Sequence, residues 1–109
     1  MRITVLAVPG CPNAPVMRER IATALGGRTA HIAMVEVSED DEAARCGMTG
    51  SPTVLLDGID PFAAAGAVPG VSCRLYRDED GLTVGAPSVA LLLRALAAAE
   101  AGRAGSGVL

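Results

Sequence analysis

Aromatic side chains are almost missing from this chain: Phe62 and Tyr76 are the only two, and there is no tryptophan. A surface that stacks on unpaired bases is therefore excluded. No basic stripe is present either, and the net charge is −3 from 9 basic and 12 acidic residues, so nucleic acid is not an expected partner. No run approaches the roughly 18–20 apolar residues of a membrane span. The Ala/Leu-rich stretch near residue 90 is broken by Arg94, and no membrane partner is expected. Only about six apolar residues precede Pro9-Gly10, short of the roughly 7–15 of a signal-peptide core. Cys11, Cys46 and Cys73 are odd in number and widely spaced, which is no disulfide framework. With one histidine they also lack the paired spacing of a structural zinc site, so no metal or other cofactor is expected. A cytoplasmic, reducing setting follows as the expectation.

What is present is an aliphatic chain of 109 residues, enough for one domain with a core of its own. Ile3 to Val8 is a continuous β-prone apolar run that predicts a buried strand ending at Pro9-Gly10. Residues 13–26 predict a helix with Met17, Ile21, Ala24 and Leu25 on one face, ended by Gly26-Gly27. Pro12 and Pro15 fall in its opening turn, where proline is tolerated. His31 to Val37 predicts a second buried strand, with His31 a structural residue at its start. Ser38 is the expected N-cap of a short acidic helix ending near Gly47. Thr53 to Asp57 predicts a third strand, and Asp57, Gly58, Asp60 and Pro61 a turn. A loop over 59–71 leads to a fourth strand at Cys73–Arg77 and a hairpin into Leu82–Val84. The last helix runs from Pro87 to about Ala101, with Val89, Leu92, Leu93 and Leu96 inward. The expected organisation is one domain over 1–101 and a flexible tail over 102–109. Its order, β-α-β-α-β-β-α, is that of a thioredoxin-like α/β fold, with a four- or five-stranded mixed sheet flanked by helices.

Cys11 follows the first strand and opens the first helix. Unpaired N–H groups and the positive end of the helix dipole stabilise a thiolate there, which makes the sulfur a nucleophile. Ala14 stands where a Cys-x-x-Cys motif would place its second cysteine, so Cys11 acts as a monothiol or is resolved from elsewhere. Ser51-Pro52-Thr53, just before the third strand, is where a thioredoxin-like fold carries a cis-proline beside the thiol. An exposed Ser51 backbone would pair with an extended substrate there. Pro12, Asn13, Ser51, Pro52 and Thr53 are the expected substrate-binding residues. Cys73 follows about thirteen loop residues that span roughly 40 Å when extended. It reads equally as a resolving partner of Cys11 and as a buried cysteine starting a strand. Cys46 reads as a small core or surface residue.

The set GCPN (10–13), GSPTVLLDGIDPF (50–62), SCRLY (72–76), the glycine of DEDGL and GAPS (85–88) resembles the DF family (seleno)proteins, small actinobacterial thioredoxin-like proteins of which some are labelled alkylmercury lyase. The resemblance covers residues 3 to about 98 and implies a thioredoxin-like fold. In some relatives the position matching Cys11 is selenocysteine, which implies that Cys11 is the reactive atom. The family's second cysteine matches Cys73 and implies a redox role for it. No role carries over to Cys46.

The function expected from all this is a thiol-dependent oxidoreductase. Cys11 would attack a disulfide, a peroxide or another electrophile on a small-molecule or protein substrate. Cys73 or an external thiol would resolve the product, in a monomer or weak homodimer. The alternatives are organomercurial cleavage, for which the sequence nominates no acid, and a thiol-based metal-binding or redox-sensing module.

Overall fold

The computed structural model describes the backbone of residues 1–108 and the side chains of residues 1–102. In chain order the elements are β1 (Arg2–Ala7), α1 (Asn13–Leu25), β2 (His31–Glu36), α2 (Asp40–Cys46), β3 (Thr49–Ser51), β4 (Thr53–Leu56), β5 (Gly70–Cys73), β6 (Tyr76–Arg77), β7 (Thr83–Val84) and α3 (Val89–Val108).

The unbroken apolar run of β1 makes it the central strand of a three-stranded sheet ordered β2-β1-β4. β2 pairs parallel to β1 from Arg2↔His31 to Ala7↔Glu36. β4 pairs antiparallel, from Ile3↔Leu56 to Leu6↔Thr53. Successive residues of a strand face opposite ways, and β1 uses both faces. Ile3 and Val5 meet Met17 and Ile21 of α1, Leu92 and Leu96 of α3, and Val54 and Leu56 of β4. Leu6 faces the other way, to Val37, Met48 and Ala43 of α2. The result is a mixed α/β arrangement of three layers, with α1 and α3 on one face and α2 on the other.

α1 forms where its apolar spacing predicts, with Ala14, Met17, Ile21, Ala24 and Leu25 buried. Arg28 closes its C-terminal end by donating to the carbonyls of Leu25 and Ala24, and it reaches Glu100 of α3. Arg20, within α1, holds the segment that leads into α3, donating from Nη1 to the carbonyls of Ala86 and Pro87 at 3.1 and 3.3 Å.

Several expectations are corrected. β2 is an edge strand and is mostly exposed, His31 included, because the helices centre on β1 and β4. The strand predicted over Cys73–Arg77 is two strands, β5 and β6, broken where Arg74 turns inward. β5 pairs parallel with β3, and β6 pairs antiparallel with β7 in a separate ribbon. One four- or five-stranded sheet is therefore replaced by a three-stranded sheet and two strand pairs. The N-cap of α2 is Glu39 rather than Ser38, and the Ser38 N–H instead donates to the Glu42 carboxylate at 3.2 Å. Leu93 is 46 % exposed, on the outer side of α3. The α3 backbone continues to Val108, beyond the expected end near Ala101, and the side chains of the expected tail from 103 onward lie outside the described residues. No helix among the described residues is long and apolar enough to cross a membrane.

Candidate thiol site

β1 delivers the chain to a turn over Pro9-Gly10, and the Cys11 N–H closes it on the Val8 carbonyl at 3.1 Å. Cys11 is half-buried there and unbridged. It precedes Pro12, the N-cap of α1, which supplies no side-chain cap. Pro12 and Pro15 have no N–H, and the Ala14 N–H is taken by the Cys11 carbonyl at 3.3 Å. Fewer amides therefore face the thiol than at an ordinary helix start. Cys11 lines a cleft of about 260 Å³ with Val8, Gly10, Pro15, Met34, Val35 and Glu36 among its walls.

The Ser51-Pro52 peptide bond is cis. The Ser51 hydroxyl accepts from the Val8 N–H at 3.0 Å, which fastens the segment before Pro52 to the turn that carries Cys11. Ser51, Pro52 and Thr53 are all buried. The Ser51 carbonyl accepts from the Arg74 N–H at 2.9 Å, and β5 covers the edge of β3. The Ser51 backbone expected to lie open to an extended substrate is thus already paired within the chain. Pro12 is exposed and Asn13 half-buried beside Cys11.

Arg74 organises what surrounds Pro52. Its guanidinium meets the Asp60 carboxylate at 2.7 Å, the hydroxyls of Thr49 and Thr53 at 3.2 Å, and the Phe62 carbonyl at 2.9 Å. The pair is nearly closed to solvent, at 11 % and 10 % exposure for the two side chains. Arg74 also lies 4.7 Å from the centre of the Tyr76 ring. The Tyr76 hydroxyl donates to the Pro52 carbonyl at 2.5 Å. Burial pushes the Tyr76 phenol far above its ordinary range, with Arg74 opposing and Asp60 adding to the shift. Gly50 makes the close approach possible: a Cβ on it would lie 2.7 Å from the Arg74 Cβ, and its φ is +109°.

Cys73 ends β5 opposite Ser51 in register and is exposed rather than buried. It lines a different cleft, with Asp40, Thr49, Gly50, Ser72 and Gly70. Ser51 is thus bonded toward the Cys11 turn and paired with Cys73, yet the two thiols open into separate clefts and form no disulfide. Cys46 is exposed at the end of α2. Among the described residues no group of three or more His, Cys, Asp or Glu is placed to hold a metal ion.

Glu36, Asp60, Arg74 and Gly85 were not expected at the site. Asp60 and Arg74 stand inside the quoted motifs, but nothing in their spacing ties residues fourteen apart into a pair. Gly85 of GAPS lies against the start of α1, where a Cβ would meet the Asn13 amide nitrogen at 2.3 Å. Comparison of the chain with family models, with curated proteins and with solved structures finds no match.

Proposed function

We propose that the protein is a thiol-dependent oxidoreductase that works through Cys11, in a thioredoxin-like arrangement of the kind implied by its resemblance to the DF family (seleno)proteins. The observation that carries this reading is a half-buried free thiol at the start of α1, fastened through the Val8–Ser51 hydrogen bond to the segment before a cis-proline. A strand order of β2-β1-β4, with β4 antiparallel and entered through that proline, supports the same arrangement. The Cys11 thiolate attacks one sulfur of a disulfide. The new Cys11–sulfur bond forms as the old disulfide bond breaks, and the departing thiolate takes a proton from water. An external thiol then releases Cys11 as a thiolate and leaves with the captured group as a disulfide. Cys73 is the internal candidate for that second step, supported by its exposure and its register with Ser51.

The test is reaction of the full chain with the neutral 2-hydroxyethyl disulfide, with the adduct located by peptide mass spectrometry. The expected result is a mixed disulfide on Cys11 that forms faster than any on Cys46 or Cys73, and loss of turnover in Cys11→Ser. Labelling of Cys46 or Cys73 with Cys11 untouched overturns the reading. Cys73→Ser separates the two routes of release: trapping of the Cys11 adduct marks Cys73 as the resolving thiol, and unchanged release marks an external one.

A further inference from the structure

We infer that the Cys11 cleft selects low-molecular-weight disulfides that carry positive charge, such as those of cationic aminothiols, and that Glu36 is the residue that does so. The inference rests on the proposed thiol chemistry of Cys11 and adds its substrate class. The register Ala7↔Glu36 and Val5↔Met34 places Met34 and Glu36 on the same face of the sheet as Val5, whose side chain packs with α1. That face carries the start of α1, and with it Cys11. Glu36 accordingly lines the Cys11 cleft, and it is the one charged residue to do so.

Among the described residues, no side chain pairs with Glu36. Its carboxylate makes no hydrogen bond or ion pair among the described residues, and the residue is exposed. The other walls are apolar or small: Val8, Pro15, Met34 and Val35 offer contact for a short alkyl chain and no cationic side chain for a carboxylate. A disulfide with carboxylates near its sulfurs would meet one negative side chain and no cationic one. An ammonium a few bonds from the sulfur would meet an unpaired partner. A cleft of about 260 Å³ suits a small ligand rather than a folded protein surface.

Charges separated by the width of such a cleft, in contact with water, change a rate by a few-fold each, so a dication and a dianion should differ by about tenfold at low salt. The preference should vanish at about 1 M salt, where the screening length shrinks to about 3 Å.

The experiment measures the rate of mixed-disulfide formation at Cys11 with cystamine, 2-hydroxyethyl disulfide and dithiodiglycolate. It compares the full chain with Glu36→Gln and Glu36→Lys at low and high salt. The readout is the ratio of the cystamine rate to the dithiodiglycolate rate, divided by the same ratio for free 2-mercaptoethanol, because the unequal leaving thiols and any effect of Glu36 on the sulfur itself both cancel in it. The expected ratio is about ten in the parent chain, near one in Glu36→Gln, and inverted in Glu36→Lys. A normalised ratio near one in the parent chain, or a ratio unmoved by Glu36→Gln, overturns the inference while leaving the thiol chemistry standing. No adduct on Cys11 with the neutral reagent overturns the thiol reading, and this inference with it.

Discussion

Arg74 and Tyr76 show how much of the site is held by side chains without sulfur. Removing one member of a nearly buried ion pair leaves the other charge without compensation, which costs about 3–5 kcal/mol. Asp60→Asn should therefore lower the unfolding free energy by about that amount in a urea titration; an unchanged midpoint would show the pair to be idle. Asp60→Asn should also loosen Pro52, since Arg74 and Tyr76 are positioned together. Tyr76 is the only tyrosine and no tryptophan is present, so tyrosinate absorbance reports on that one group. In the folded protein it should stay protonated well beyond the ordinary phenol value of about 10, and titration at about that value would contradict the burial described. Gly50→Ala sets a side chain against Arg74 at a φ that favours glycine, and should destabilise by about 1–3 kcal/mol in the same urea assay.

At the scale of elements, β2 and α1 behave in opposite ways. α1 lies where its apolar spacing requires, and Met17 is fully buried between the sheet and α3. Met17→Ala should cost about 2–5 kcal/mol. β2 has a similarly apolar composition but has a neighbour on one side only. The Val37 N–H bonds the Ala7 carbonyl, so alternation turns the N–H groups of Ile32, Met34 and Glu36 away from β1. Those three amides should exchange hydrogen much faster than the amides of β1, and equal protection would mean that something covers this edge. Hydropathy alone could not separate the two elements, because the position of a strand in a sheet is not written in its own residues. The start of α1 likewise depends on Gly85, far along the chain from Asn13, through the space it leaves for the Asn13 side chain.

For the molecule as a whole, the raised Tyr76 phenol sets an alkaline limit. Below pH about 10 the tyrosine is protonated in both the folded and the unfolded chain, and its ionisation does not affect stability. Above that value the unfolded chain ionises and gains, while the folded chain does not, so stability falls as pH climbs toward the folded value. Thermal unfolding followed from pH 8 to 11 should show this decline, and Tyr76→Phe should flatten it. The order of elements as far as α2, the strand β4, the apolar face of α1, the thiol at its start and the position of the proline before β4 follow from local pattern, because periodicity and turn residues act over a few neighbours, whereas the short β3 had no such signal. The splitting of Cys73–Arg77 into two strands, the closure of the Ser51 carbonyl by Arg74, the exposure of β2 and the meeting of Glu36 with Cys11 were decided only in three dimensions. Each depends on which distant segments lie side by side, and that is settled by how one set of apolar faces can be buried at once.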